Sequence, residues 1–432
     1  MDSTFTAHLA HPFYGDHVLY HVHNRRPGFA TLRAWQFAGW QKESLSWRTG
    51  CYIHAGLSGS GPISIKGPDA KKYLQGIVIN SLEKFPVGTM KHAVMCTEDG
   101  LIAAHGIIER KAEDHFESFA GGPPGAWMDP DVPFDVTIER LNHYLFQIAG
   151  PAALQVLEKA AGESLRDVRF LRFRDTRIAG LRTEIARIGM TGGLAYELHG
   201  PIEEGPAIYQ AVYDAGRASG IERLGWGTYL VNHVEGGFPQ ATWSFAVAAP
   251  RPEQRLEIMR QFEISGSVDP DDTRPRMRTP VEVSWHNMAR FDHDFVGHKA
   301  LAAEMANPKR TTVTLRWRAE DVLDTYASLL RPGAPYKPVE LPYAPQRWPM
   351  AHADHVLKDG QPVGWSSGTI YSAGFREFLS LGCLDLAAAR LGTEVVVRWG
   401  DHGGPIKDIR ATVARFPYLA EGRNSDLDVA AL

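Results

Sequence analysis

One local construction occurs twice in this chain, and it constrains the fold more than any other feature. Ile63-Ser64-Ile65-Lys66 alternates apolar and polar, Gly67-Pro68 breaks the run, and Asp69 to Leu74 starts a helix with proline in its first turn. Phe146-Gln147-Ile148-Ala149, then Gly150-Pro151, then an amphipathic stretch closed by Gly162 repeats the pattern. Neither unit can bury its own apolar stripe, so each needs a sheet and a neighbour. Strands alternating with only a few helices predict an α+β body.

With 432 residues the chain is too long for one compact core. Three parts are expected: an arm at 1–45, an α+β body of two intertwined subdomains at 46–275, and a β-domain at 276–432. The arm is rich in His and aromatics, among them His17, His21, His23, Phe29, Trp35, Phe37 and Trp40. So many rings imply packing over the body, over a partner subunit, or over an aromatic substrate. His21 and His23 have metal-ligand side chains, but no third ligand stands near them in sequence. Near Pro270 the chain changes to linker-like VDPDDTRPRMRTP, followed by short strands at 312–317 and 394–399 and a Pro-rich excursion between them. His352 and His355 lie after Pro349 and read as solvated loop histidines.

Several function classes are excluded by composition. The net charge of −4 is spread without a clustered basic face, so no nucleic-acid partner is expected. Cys51, Cys96 and Cys383 are far apart and form no C-x-x-C pair, which fits a reducing, cytoplasmic setting and no bound metal. No run approaches the ~18 apolar residues of a membrane span. Gly59-Ser60-Gly61 is only a fragment of a dinucleotide fingerprint, and no G-K-S/T is present.

The candidate chemistry gathers at 189–240. In GMTGGLAYELHG a glycine turn at Gly192-Gly193 feeds a strand that puts Ala195 and Glu197 on one face and Leu194, Tyr196 and Leu198 on the other. Glu197 is either a solvated strand carboxylate or a bidentate acceptor for a ligand's paired N–H donors. A helix over 201–220 follows, and then LGWGTYLVNHVEGGFPQ. Upstream, 91–110 reads as a hairpin turned at Glu98-Asp99-Gly100, with His92 and His105 on its two strands.

These blocks together resemble the glycine-cleavage T-protein (aminomethyltransferase) family, in which a G-x-T-G-x-x-x-Y/F-E turn and strand supplies the glutamate that grips the pterin of tetrahydrofolate. The duplicated G-P-x-A unit and VGWSSGTIYSAGFREFLSLG (363–382) resemble that family as well. The resemblance implies a folate-binding body of two subdomains with a C-terminal β-barrel or jelly-roll-like domain. It makes Glu197 the pterin anchor, Gln147 a second polar contact, and His92 and Phe238 further folate contacts.

Three positions depart from the aminomethyltransferases. His105 stands where their second strand carries aspartate, and Tyr229 and His233 stand where they carry arginines. Tyrosine followed by N-x-x-E-x-G resembles instead the tetrahydrofolate-dependent aromatic O-demethylases that act on vanillate or syringate. SWRTGCYIHAGLSG (46–59), VINSLEKFPVGTMKHAVMCTEDG (78–100) and FDHDFVGHKAL (291–301) favour the syringate-type branch. That branch implies methyl transfer from a small methoxyaromatic to tetrahydrofolate. Tyr229 would donate to the ether oxygen, and His54 and His105 would assist proton movement.

An arginine expected to meet a benzoate is absent from Phe119 to Trp127, so either Arg26, Arg33 or Arg290 holds a carboxylate or the substrate has none. Two rivals stay open. One is an aminomethyltransferase or methylamine demethylase of the same fold. The other is a non-catalytic folate-binding accessory protein, whose K-G-C-Y/F-x-G-Q-E motif does not occur here.

Overall fold

The computed structural model describes residues 19–23, 31–58, 61–120, 134–341 and 350–432, giving only the backbone at 19–23, 31–33 and 350. His17, Arg26, Phe29, residues 121–127 and the side chains of His21, His23 and Arg33 therefore lie outside the described residues.

Strands β1 (Leu19–His23) and β2 (Thr31–Gln36) pair with each other and lead into α1 (Trp40–Thr49). Next come β3 (Cys51–His54), β4 (Ile63–Lys66), α2 (Ala70–Gln75), β5 (Thr89–Cys96), β6 (Ile102–Ala112), β7 (His115–Ser118), β8 (Thr137–Arg140) and β9 (His143–Ala149). The body continues through α3 (Ala153–Ala161), β10 (Phe173–Ile178), β11 (Leu181–Ala186), β12 (Ala195–Pro201), α4 (Gly205–Gly216), β13 (Ile221–Arg223) and α5 (Trp226–Gly236).

Each strand, Gly-Pro turn and helix forms where the sequence predicts, except that Pro68 and Pro151 stand just before the N-caps Asp69 and Ala152 and not in the first helical turn, and both copies use one backbone device. Gly67 and Gly150 have φ of +135° and +128°, and a Cβ on either would stand 2.2 and 2.5 Å from the carbonyl oxygens of Asp135 and Gly50. Only glycine fits there. The first unit belongs to a five-stranded sheet ordered β5-β6-β7-β4-β8, and the second to a six-stranded sheet ordered β10-β11-β12-β9-β3-β13. The body is thus two sheets, each carrying one copy.

Alternation gives the six-stranded sheet two unlike faces. Ile53, Phe146, Ile148, Ile185, Tyr196 and Leu198 point into an apolar core shared with α3 and α4. Opposite them, Tyr52 pairs with Ala149 and Ala149 with Ala195, while His54 pairs with Gln147 and Gln147 with Glu197. Paired residues share a face, so three neighbouring strands line up His54, Gln147 and Glu197 beside an alanine floor. The five-stranded sheet turns its His105, Ile107, Glu109 and Lys111 face toward this surface, since Glu109 and Lys111 of β6 reach His199 and Glu184 across the gap.

Every residue of α5 is buried. Its N-terminal Gly225 N and Thr228 Oγ1 donate to Glu43 of α1 at 2.9 and 2.8 Å, and the same carboxylate accepts from Phe37 N and Ala38 N. A carboxylate borrowed from another helix satisfies orphan donors and suits the positive end of the dipole. At the far end, Gly236 lets the helix approach Thr191, whose carbonyl oxygen would be 2.2 Å from an added Cβ. The two halves of the 189–240 stretch meet there. Gly237 is left-handed and turns Phe238 N back onto the His233 carbonyl at 2.8 Å. Trp35, from the aromatic-rich N-terminal region, is 1% exposed and shares a core with Trp226 and Tyr229, so this part of the arm packs on the body.

The chain continues through α6 (Arg255–Met259), β14 (Glu263–Ser265), α7 (His298–Ala306), β15 (Arg310–Trp317), α8 (Ala319–Ala327), β16 (Met350–His352), β17 (Asp354–Lys358), β18 (Gln361–Ser372), β19 (Glu377–Asp385), β20 (Glu394–Trp399) and β21 (Lys407–Ala414). Six of these strands close a barrel in the order β15-β19-β18-β17-β20-β21. Between body and barrel, Val281, Val283, Trp285 and Phe295 pack on Ile79, Val94, Cys96 and Ile102 of the five-stranded region. His352 corrects its expectation: it sits in a strand at 6% exposure. Its Nδ1 meets Ser265 Oγ at 2.8 Å and its Nε2 meets Asp354 Oδ2 at 2.6 Å, because Ser265 and His352 are register partners in β14 and β16.

Candidate functional site

Hydrogen bonding across the polar face of the six-stranded sheet has a fixed direction. Asn232 Nδ2 donates to Tyr52 Oη at 3.1 Å, and Tyr52 Oη donates to Gln147 Oε1 at 2.7 Å. Gln147 Nε2 then donates to Glu197 Oε1 at 3.3 Å. The other carboxylate oxygen, Oε2, lies 3.3 Å from His199 Nε2, which must be the donor because a carboxylate only accepts. Glu197 is 6% exposed and held from both sides, with further lone pairs on both oxygens. This is the arrangement a bidentate ligand donor needs.

Behind Glu197 is a buried charged cluster. His199 Nδ1 lies 3.6 Å from Glu109 Oε1 and 3.4 Å from Glu184 Oε1. Lys111 Nζ contacts Glu184 and lies 3.5 Å from Glu109 Oε2. Burial would lower the His199 pKa, but the bonds to Glu184 and Glu197 and the charge of Glu109 raise it to about 10. Burial would raise that of Glu184, and His199 and Lys111 bring it down to about 2. Burial, reinforced by the charge of Glu184, pushes Glu109 well up. Glu109, Glu184 and His199 place three ligand-type atoms within 4.8 Å of one another. Lys111 supplies a cation there, so the cluster is ion-paired.

Toward α5 the surroundings become aromatic. The Tyr229 ring stacks on His54 at 4.1 Å and 7°, and its hydroxyl faces Met190 Sδ at 3.9 Å. Burial, then the charges of Tyr52 and Glu197, raise the Tyr229 phenol well above 10, so it stays a donor at any working pH. His54 Nδ1 gives its proton to the Leu224 carbonyl at 2.8 Å, which fixes the ring against Tyr229. His233 Nδ1 likewise donates to the Tyr229 carbonyl at 2.8 Å and lies 3.1 Å from Asn232 Oδ1. Its Nε2 is therefore a lone pair, buried and without a hydrogen-bond partner among the described residues.

His92 Nε2 and His105 Nδ1 meet at 3.2 Å, one donating to the other. Their rings pack against Phe238 and Trp285, each imidazole 4.7 Å from the indole. Burial brings His92 and His233 down to about 4, and burial with help from its two histidine neighbours lowers His105 well below the ordinary 6.5. All three are neutral near pH 7. Among the described residues no lysine or arginine stacks on Tyr229, Phe238 or Trp285. Arg290 is exposed and donates to the Asn287 and Ala289 carbonyls, so it is not part of this wall.

The structure thus gathers the candidates into two joined groups. Glu197, Gln147 and His54 share a face of the six-stranded sheet, and Tyr229, His105, His92 and Phe238 belong to the aromatic and histidine wall. Sequence reasoning missed Tyr52, His199, Asn232 and Trp285. Continuing the alternation Ala195, Glu197 by one step would have found His199, whereas Trp285 comes from an irregular segment with no periodic signal.

Two sheets facing each other across this buried site, with a closed barrel beyond, define an α+β enzyme of the T-protein fold. Residues 14–244 match the GCVT N-terminal domain, and the chain belongs to that family of folate-dependent transferases. It is 37% identical over 94% of both chains to the sesamin methylene transferase of Sinomonas sp. strain No.22. It is 29% identical over 91% of both to the syringate O-demethylase of Sphingobium sp. strain SYK-6. An aminomethyltransferase of Listeria welshimeri is 31% identical over 90% of this chain and 92% of that one. The crystal structure of aminomethyltransferase T from Bartonella henselae has the same fold, with a TM-score of 0.68 and 17% identity over 94% of this chain and 95% of that one. Among the described residues no helix is long and apolar enough to cross a membrane.

Proposed function

We propose that this enzyme transfers the one-carbon group of an aromatic ether to tetrahydrofolate, acting on a small arene that carries no carboxylate. In the methyl form of the reaction, N5 of the folate attacks the methyl carbon and the C–O bond breaks with its electrons going to the aryl oxygen. N5 loses one proton and the oxygen gains one, giving a phenol and 5-methyltetrahydrofolate. No oxidant or metal enters the balance.

Glu197, steadied by Gln147, accepts the paired N–H donors of the pterin and orients N5. Tyr229 donates to the leaving oxygen. Such a donor is needed because an expelled phenoxide is the conjugate base of an acid with a pKa of about 10. His233 Nε2 is the open base for the N5 proton, and the His92–His105 pair lets that proton be passed on. His54 holds the Tyr229 ring. Phe238 and Trp285 flank the donor arene and keep water out, which strengthens both hydrogen bonds.

The observation that carries this reading is the wall of neutral imidazoles and aromatic rings beside a fixed carboxylate. Cationic side chains would meet a benzoate, and uncharged rings suit an uncharged arene.

A second reading keeps the same site and changes the donor. Similarity to a sesamin methylene transferase favours a methylene carbon bridging two aryl oxygens. That carbon would end between N5 and N10, while two protons pass to the two catechol oxygens.

The test is anaerobic turnover on matched pairs of methoxyarenes and methylenedioxyarenes, with and without a ring carboxylate, scored by kcat/KM. Neutral members should exceed their carboxylated partners by about tenfold or more, the scale of one unpaired buried charge. Carboxylated members leading would overturn the neutral-donor assignment.

A further inference from the structure

We propose that His199 is a positioning residue for the pterin-binding carboxylate, locking Glu197 in plane by bridging it to Glu184 on the neighbouring strand and to Glu109 on the facing sheet. The proposal rests on Glu197 being the folate anchor and adds what makes that anchor rigid.

Glu197 and His199 are two residues apart on β12 and so share a face, but a strand alone does not fix a glutamate's terminal torsions. Gln147 restrains only Oε1. The restraint on Oε2 is His199 Nε2 at 3.3 Å. That ring is itself 3% exposed, and its Nδ1 side faces Glu109 and Glu184 at 3.6 and 3.4 Å. Phe119 covers it with ring centroids 4.6 Å apart. Lys111 then ties Glu184 to Glu109, and Glu117 lies 4.0 Å from the same ammonium. The imidazole is hydrogen-bonded to Glu197 through Nε2, lies at ion-pair distance from Glu109 and Glu184 through Nδ1 and packs under Phe119, so turning it away from Glu197 leaves buried carboxylates unpaired.

This arrangement also spans the two sheets. Glu109 and Lys111 come from β6 and Glu184 from β11, so the anchor's geometry depends on how the sheets are docked. A ligand that binds Glu197 meets a carboxylate whose ordering has already been achieved on folding, which is preorganisation.

The test compares tetrahydrofolate binding and steady-state kinetics in His199→Phe, His199→Gln and Glu197→Ala. Gln presents an N–H near the position of Nε2, and Phe fills the volume without donating. His199→Phe is expected to raise the folate Kd and KM about tenfold while kcat changes less than threefold, the KM-dominated pattern of lost ground-state positioning. His199→Gln should restore the Kd to within about threefold of the parent.

Wild-type affinity in His199→Phe, with binding lost in Glu197→Ala, would overturn the positioning role and leave the anchor assignment intact. Wild-type affinity in Glu197→Ala would instead remove the anchor assignment itself. Should the Phe variant not fold, the imidazole N–H signals of the parent protein decide. The His199 Nε2 proton is expected to shift when folate binds, and an unmoved signal contradicts the proposal.

Discussion

Gln147 Nε2 donates to Glu197 Oε1 at 3.3 Å from the directly opposite position on the neighbouring strand. The amide's orientation is set from behind by Tyr52, whose hydroxyl accepts from Asn232 and donates its one proton to the amide oxygen. Replacing Gln147 by Leu removes one donor from the carboxylate and strands the Tyr52 hydroxyl. Tetrahydrofolate should bind about tenfold more weakly, the equivalent of ~1.4 kcal/mol, by fluorescence titration.

Tyr229→Phe keeps the ring stacked on His54 and deletes the hydroxyl. Folate affinity is expected to stay within about twofold while kcat falls about 100-fold or more, the usual range for a lost general acid. Single-turnover kinetics would separate the two effects, and normal turnover would remove Tyr229 from the mechanism.

Legibility in the sequence followed the range of the interactions. The paired Gly-Pro units, the Glu197 strand and the hairpin carrying His92 and His105 all depend on neighbours within about ten residues, where periodicity speaks directly. Tyr52 and Asn232 are 180 residues apart, and only the sheet and the buried α5 helix bring them together. No local pattern encodes that contact. The arm illustrates the same limit: its aromatic richness was readable, but that Glu43 caps α5 was not, since the carboxylate and the donors it satisfies belong to different segments.

That cap gives a stability prediction. Glu43→Ala removes the carboxylate that accepts from the amides of Phe37, Ala38 and Gly225 and from the Thr228 hydroxyl, which keeps the Gly225 carbonyl at 3.2 Å. A loss of about 3–5 kcal/mol is expected, visible as a lower urea midpoint with the slope unchanged. A change below ~1 kcal/mol would show that water replaces the carboxylate.

Two histidines contribute to opposite pH limbs. His233 falls from the ordinary 6.5 to about 4 on burial, so the stability it contributes is present above pH 6.5 and lost as pH falls toward 4, about 3 kcal/mol in all. His199 rises to about 10, so its contribution is present below pH 6.5 and lost as pH rises toward 10. Thermal unfolding across pH 4 to 10 should show His233→Phe flattening the acid limb and His199→Gln the alkaline one. Unchanged limbs in the two variants would contradict these assignments.

The most direct test of one-carbon transfer from an aryl ether is to follow the carbon itself. Purified enzyme, tetrahydrofolate and an uncharged arene bearing a ¹³C-methoxy group are incubated without oxygen or added metal, and the folate is examined by ¹³C NMR and mass spectrometry. The expected result is label appearing as the N5-methyl of the folate, with one new phenol formed for each labelled folate. With a ¹³C-methylenedioxy donor, the label should bridge N5 and N10. Demethylated arene formed beside unlabelled folate, with the carbon released as methanol or formaldehyde, would contradict the transfer.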